Sequence, residues 1–215
     1  MDLDERTTRH YTLPMFTGLV GAMGVLAARQ ERGPSARLVV QASLGEEPLE
    51  LGESIAVDGA CLSVAEVLPD GFAVDATAET LARTTLGGLS LSSRVNLERS
   101  VRAADRLGGH LVTGHVDGVG SLASRRAVGD ALALSFAMPA ALARFVAEKG
   151  SIAINGVSMT VNAAPAQSPS FDVMVIPITQ AETNLGALIP GSPVNLEVDL
   201  VARYVARLIE ARAIP

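Results

Sequence analysis

The 215-residue chain contains no tryptophan, and aromatic residues make up only 3% of it. A core built on stacked rings is excluded, and aliphatic side chains must fill the interior. A single cysteine, Cys61, excludes an internal disulfide and gives no support for secretion. Positive charge is in deficit: 17 Lys and Arg face 23 Asp and Glu, for a formal charge of −6 and a pI of about 5.1. A general nucleic-acid binder, which needs a basic face against phosphates, does not fit that balance. Charged residues amount to 19% against 48% hydrophobic, and mean hydropathy is +0.33. Disorder as the main state is excluded. The apolar surplus points to surface buried between subunits.

Long uncharged runs are also scarce. The run over residues 11–28 is interrupted by Pro14, Gly18, Gly21 and Gly24, which suit turns and strands. Asp2, Asp4 and Glu5 precede it against Arg6 and Arg9, without the positive start of a signal peptide. The run over 131–143 is shorter and holds Pro139. No membrane insertion or export is expected, and the expected location is cytoplasmic. The motifs GxxxxGK and GxSxG are absent, and Gly118-Val-Gly120 lacks the rest of a dinucleotide fingerprint. His110 and His115 have no CxxC or HExxH nearby, so no metal site is expected.

What the chain does have is a repeat. Glu53-Ser-Ile-Ala-Val-Asp-Gly-Ala-Cys-Leu-Ser-Val64 matches Gly150-Ser-Ile-Ala-Ile-Asn-Gly-Val-Ser-Met-Thr-Val161. Thr85-Leu-Gly87 matches Asn184-Leu-Gly186, Val95-Asn-Leu-Glu98 matches Val194-Asn-Leu-Glu197, and Thr17-Gly-Leu-Val20 matches Thr113-Gly-His-Val116. Ordered blocks at nearly constant spacing indicate a duplication. Residues 54–57, 61–67, 72–76 and 94–98 read as strands, as do their partners. Asp58-Gly59 and Asn155-Gly156 read as tight hairpin turns. Many short strands per half indicate a small closed β-barrel, made twice.

Two helices are expected. One covers 138–150, with Pro near its start and Gly at its end. The other covers 200–211, after the cap Asp199. Its stripe of Leu200, Val201, Tyr204, Val205, Leu208 and Ile209 must pack on something, either its own barrel or a bundle of helices between subunits. Residues 1–14 fall outside both repeats, as a disordered tail or the product of an upstream start, with Met15 beginning the folded part.

The two halves differ at matched places. Cys61 pairs with Ser158 and His115 with Leu19, while Ser63 and Thr160 put hydroxyls at one shared position. Taken alone, Cys61 reads as a small buried hydrophobe or a nucleophile. His115 reads as a structural histidine or a proton carrier. Ser63 and Thr160 are surface hydroxyls or pocket groups. Together they describe two similar pockets with different jobs.

The motifs Met15-Phe-Thr-Gly-Leu-Val20, Gly52-Glu-Ser-Ile-Ala-Val-Asp-Gly-Ala-Cys-Leu-Ser-Val64 and Gly108-Gly-His-Leu-Val-Thr-Gly-His-Val-Asp-Gly118 resemble those of the riboflavin synthases. Lys149-Gly-Ser-Ile-Ala-Ile-Asn-Gly-Val-Ser-Met-Thr-Val161 and Val194-Asn-Leu-Glu-Val-Asp199 extend the resemblance over about residues 15–208. It implies an all-β fold: tandem duplicated six-stranded Greek-key β-barrels plus a C-terminal α-helix. The expected parts are an N-terminal extension over 1–14, lumazine-binding barrels over 15–109 and 110–199, and an oligomerisation helix over 200–215. The implied reaction is the dismutation of two 6,7-dimethyl-8-ribityllumazine molecules by four-carbon transfer, giving riboflavin and 5-amino-6-ribitylaminouracil. No cofactor or metal is implied. The implied partners are the lumazine substrate, two further copies in a homotrimer, and lumazine synthase in a larger complex.

By motif, Ser54, Cys61, His115 and Thr160 would line the reacting centre, with Asn96 and Asp199 supporting it. Gly18, Leu19, Val20, Cys61, Leu62, Ser63, Asp75, Ala76, Thr77, Ala78, Glu79 and Thr80 would hold substrate in the first barrel. Gly114, His115, Val116, Lys149, Ser158, Met159, Thr160, Met174, Val175, Ile176, Pro177, Ile178 and Thr179 would do so in the second. The resemblance also admits a rival, a non-catalytic lumazine- or flavin-binding antenna protein on the same duplicated fold.

Overall fold

A computed structural model describes residues 15–166 and 168–212. The extension expected over 1–14 lies outside the described residues. The first half supplies β1 (Ala22–Arg32), β2 (Ser35–Gln41), β3 (Ser54–Val57), β4 (Ala60–Leu68), β5 (Gly71–Ala76) and β6 (Arg94–Arg99). The second supplies β7 (Gly118–Val128), β8 (Ala131–Ala137), β9 (Ser151–Ile154), β10 (Val157–Ala163), β11 (Ser170–Val175) and β12 (Pro193–Val198). Each set closes into an antiparallel barrel, in the orders β1-β2-β5-β4-β3-β6 and β7-β8-β11-β10-β9-β12. The orders are the same, so the repeat in sequence is a repeat in space. Among the described residues, closure leaves no free sheet edge in either barrel.

Alternation drives these strands. Ala36, Leu38 and Val40 of β2 are buried between less buried neighbours, and Leu132, Leu134 and Phe136 of β8 repeat the pattern. Each barrel has its own aliphatic core, and in the second Phe136 and Phe171 stack with centroids 5.4 Å apart. The β3–β4 hairpin turns through Asp58 (φ 46°) and Gly59 (φ 77°), and β9–β10 through Asn155 (φ 46°) and Gly156 (φ 76°). Positive φ at both central residues is the turn whose twist suits a short hairpin.

These two turns meet back to back between the barrels. A Cβ on Gly59 would lie 2.6 Å from the Gly156 nitrogen. A buried polar network surrounds them. Asn96 Nδ2 donates to the Asn155 carbonyl at 2.9 Å, and Asn195 Nδ2 to the Asp58 carbonyl at 2.8 Å. The symmetry breaks at Asn184, which stands where the first half has Thr85. Its Nδ2 donates to Asp58 Oδ1 at 2.8 Å, and its Oδ1 accepts from Asn96 and Asn155.

Two further short helices follow β5 and β11: α1 (Ala78–Arg83) and α2 (Pro177–Glu182). The helix expected over 138–150 does not form. Only a 3-10 turn, Ala140–Phe145, follows Pro139. The segment is a strap that closes the barrel end, burying Met138, Leu142 and Val146 in the second core. Its far end is held to β10, with the Lys149 N–H donating to the Val161 carbonyl at 2.8 Å. That tie competes with further helical turns.

The terminal helix α3 (Leu200–Arg212) forms as expected, and Asp199 caps it by accepting from the Val201 N–H at 2.8 Å. Arg203 pairs with Asp117 at 2.7 Å, and Arg144 pairs with Glu210. The apolar stripe stays off the barrel: Val201, Tyr204, Val205, Leu208 and Ile209 are each at least half exposed. Among the described residues no helix is long and apolar enough to cross a membrane.

Asp58 is fully buried, and burial pushes its carboxyl up to about 7, with the Asn96 N–H and the Asn184 amide opposing the rise. The fold therefore favours the neutral carboxyl. Its contribution is complete below the ordinary value of 3.8 and is lost as pH rises through about 7. Asp58→Asn, the residue at the matched position 155, is expected to raise the thermal midpoint more at about pH 8 than at about pH 5. A midpoint difference independent of pH, in calorimetry at both values, would contradict this.

Candidate active site

Each half begins with an arm that reaches the opposite barrel. The arms meet in an antiparallel bridge, Phe16 N–H to the Val112 carbonyl at 2.7 Å and Val112 N–H to the Phe16 carbonyl at 3.0 Å. Phe16 and Val112 are buried there with Ala56 and Ala153, and Cys61 packs against them. A carboxylate on the last strand of each barrel grips the arm beyond the bridge. Glu98 accepts from Thr17 N–H (2.6 Å), Thr17 Oγ1 (2.8 Å) and Gly18 N–H (3.0 Å). Glu197 accepts from Thr113 N–H (2.7 Å), Thr113 Oγ1 (2.7 Å) and Gly114 N–H (3.0 Å). Burial pushes both carboxyls above their ordinary value, and the bonds from the arms pull them back.

The grip delivers each arm to a strand of the other barrel. The Cys61 N–H on β4 donates to the Gly114 carbonyl at 2.9 Å, and the Ser158 N–H on β10 donates to the Gly18 carbonyl at 2.8 Å. Only glycine permits this approach. Gly114 (φ +77°) would place a Cβ 2.5 Å from that of Cys61, and Gly18 (φ +76°) one 2.6 Å from that of Ser158.

A cleft of about 260 Å³ opens on the first barrel. Ala60 and Cys61 form one wall, the α1 region contributes Thr77, Glu79, Thr80, Arg83 and Thr84, and the second half's arm contributes Gly114, His115 and Val116. Local bonds fix the α1 wall. Thr77 Oγ1 accepts from the Thr80 N–H at 3.2 Å, and Thr84 Oγ1 donates to the Thr80 carbonyl at 2.6 Å. Burial pushes the Cys61 thiol up, with the Ser54 hydroxyl opposing and the Glu197 charge adding to the rise. The thiol is thus protonated at neutral pH and is a weak donor there, not a thiolate.

A family model described as the lumazine binding domain matches residues 17–100 and again 113–199. A riboflavin synthase of Mycobacterium tuberculosis is 45% identical over 199 residues, 92% of this chain and 99% of that protein. One from Actinobacillus pleuropneumoniae is 40% identical over 195 residues, 91% of this chain and 90% of that protein. The chain belongs to the riboflavin synthase family. Its barrels also resemble LumP, solved in complex with 6,7-dimethyl-8-(1'-D-ribityl) lumazine, at a TM-score of 0.74 and 25% identity over 85% of this chain and 98% of LumP.

The riboflavin synthase motifs fall unevenly on this geometry. Cys61, Thr77, Glu79, Thr80, Gly114, His115 and Val116 line the first cleft. Gly18 meets Ser158, while Leu19 beyond it is exposed. The expectation that residues 18–20 serve the first barrel and 114–116 the second is thus corrected: the arms are exchanged. Leu62, Ala76, Met159 and Val175 point into the barrel cores. Asp75 faces outward, bound by Arg37 at 2.8 Å. Asn96 is buried in the seam, where its N–H donates to Asp58 Oδ1 at 2.8 Å and its Oδ1 accepts from the Asn184 N–H at 2.8 Å. Lys149, Thr160, Ile176, Pro177 and Ile178 are exposed around the second barrel, Thr179 and Met174 are half-buried, Ala78 is exposed on α1, and Ser63 faces Ser54 across β3–β4.

Sequence reasoning missed Arg83 and Thr84 in the cleft and the two gripping glutamates. Glu98 and Glu197 were visible as the ends of the repeated Val-Asn-Leu-Glu blocks. Nothing local signals that they hold a segment some eighty positions earlier. Gly114→Ala should force the arm off Cys61, and a shift of about 1 Å in a reacting group can cost roughly a hundredfold in turnover. Steady-state assays of the folded variant that give wild-type turnover would show that the arm's position is immaterial.

Proposed function

We propose that the chain condenses two molecules of 6,7-dimethyl-8-ribityllumazine, one passing a four-carbon unit to the other, with riboflavin and 5-amino-6-ribitylaminouracil released. The observation that carries this reading is the pair of matched but unequal arm–strand junctions. One sets Cys61 against the arm bearing His115, and the other sets Ser158 against the arm bearing Leu19. Two identical molecules can take donor and acceptor roles only if their surroundings differ. Identity of 40–45% to riboflavin synthases over more than nine-tenths of the chain supports it independently.

The chemistry needs a proton taken from the acidic C7 methyl of one lumazine and a nucleophile added to C7 of the other. Holding two rings in contact can supply roughly 7–11 kcal/mol of the barrier. In the first cleft His115 carries the proton, and Cys61, hydrogen-bonded to Ser54, supplies a neutral hydrogen-bonding group. The raised thiol favours water, not Cys61, as the nucleophile. Thr160 and Ser158 are assigned to the second pocket, with Asp199, the cap of α3, in support. The Asp58–Asn96–Asn184 seam sets the spacing of the barrels. No cofactor enters these steps.

The exposed stripe of α3 supports a homotrimer in which the first barrel of one copy meets the second barrel of another. A cytoplasmic setting fits the lone cysteine. The likeness to LumP favours a second reading, a protein that holds lumazine without turning it over. Purified protein mixed with the lumazine decides between them. Riboflavin absorbance should grow with time, whereas a retained fluorescent ligand with no riboflavin would leave binding alone. Deleting residues 200–215 should give monomers in sedimentation, with turnover lost. A truncated protein that stays trimeric would refute the role given to α3.

A further inference from the structure

His110 has a place in the second half that the family motifs assign to no step. It is 9% exposed, and its Nδ1 lies 2.7 Å from Ser158 Oγ. Its backbone N–H donates to the Thr17 carbonyl at 3.0 Å, which ties the chain at His110 to the first half's arm where that arm meets β10. The neighbouring Gly109 has no spare room, since a Cβ there would stand 2.0 Å from the Thr17 oxygen and 3.1 Å from Ser158 Oγ. The backbone that carries the ring is therefore held close to the arm, and the ring meets the serine through Nδ1.

Its other nitrogen is unusual. His110 Nε2 is buried with no hydrogen-bond partner among the described residues. Burial holds the imidazole below its ordinary value, with the Asp199 charge opposing, so the ring is neutral near pH 7. A neutral imidazole carries a proton on one nitrogen and a lone pair on the other. An orphaned buried N–H is the rarer arrangement, and a bare lone pair is the more tolerable orphan. On that ground the proton is assigned to Nδ1, which then donates to Ser158 Oγ. The bond occupies one lone pair of the hydroxyl and leaves its hydrogen unengaged.

We propose that His110 is a positioning residue that turns the Ser158 hydroxyl hydrogen outward, so that Ser158 serves the second pocket as a hydrogen-bond donor to the lumazine. The inference rests on the reading of the Ser158 surroundings as one of the two lumazine pockets. It also gives the inequality of the pockets a chemical form. A hydroxyl fixed as a donor stands in one, and at the matched place in the other stands a thiol, whose S–H donates weakly.

A double-substitution cycle on the full chain tests this, read as lumazine turnover with thermal melts to verify folding. The set is Ser158→Ala, His110→Phe, their combination, His110→Asn and His110→Gln. The Asn amide sits near the position of Nδ1 and can still donate to Ser158, whereas the Gln amide sits near Nε2 and cannot. His110→Phe and His110→Gln are expected to lower kcat about tenfold with a smaller change in KM. His110→Asn is expected to recover most of the loss, and His110→Phe to add nothing once Ser158→Ala is present. Losses that multiply in the combination, or a His110→Asn enzyme no better than His110→Gln, overturn the positioning role and leave His110 as packing. If His110→Phe does not fold, the Asn–Gln contrast decides alone. Ser158→Ala with wild-type turnover overturns the proposal at its base, because Ser158 then has no part in the second pocket.

Discussion

Two buried carboxylates hold this molecule in its working shape. Glu98 and Glu197 each accept three hydrogen bonds from a Thr-Gly step at the start of their own half. A carboxylate taken out of water is costly unless its lone pairs are met, and here each is met by backbone and hydroxyl donors that would otherwise be orphaned. Neither barrel keeps the arm it grips. The gripped segment finishes against the opposite barrel, at Ser158 in one case and Cys61 in the other. Each cleft wall is therefore positioned by a carboxylate rooted in the neighbouring barrel. The two barrels are one functional unit even though each closes its own sheet.

The seam between the hairpins adds a second constraint. Apolar surface alone would let two small barrels slide or rotate, because hydrophobic contact has little direction. The Asn96, Asn195 and Asn155 bonds have direction, and nearly all of them cross from one barrel to the other or brace a turn that does. Asn184 and Asp58 break the twofold likeness at the centre of this network. A fully bonded polar network of this kind fixes relative placement more than it adds stability.

The strands and the hairpin turns were legible because their causes are local. Alternating burial sets β2 and β8, and Asp58-Gly59 and Asn155-Gly156 can adopt positive φ with no help from elsewhere. The cap Asp199 was legible for the same reason. Over residues 138–150 the same local logic misled. Pro139, Leu142 and Val146 are spaced for a helix, but closure of the barrel end dictates the path of the strap. The arm exchange was illegible because no property of Thr17 or Thr113 states which barrel it will touch. The repeat showed which residues correspond and said nothing of which barrel each arm would touch. Cys61 and Ser158 were found as an unequal pair, but the arm facing each could be placed only in three dimensions.

That exchange bears on how a duplicated chain comes to hold unequal sites. Had each arm stayed on its own barrel, a change in one half would alter one pocket and spare the other. With the arms crossed, Cys61 of the first half faces the arm that carries His115 of the second, and Ser158 of the second faces the arm that carries Leu19 of the first. Each junction is a composite of both halves. Substitutions within one half therefore reach both junctions, those on its arm at one and those on its barrel at the other. The two environments differ while the shared clamps, Glu98 and Glu197, stay the same. The structure has that pattern: clamp distances agree between the halves to within about 0.1 Å, while the junctions differ at Leu19 against His115 on the arms and at Ser158 against Cys61 on the strands they meet.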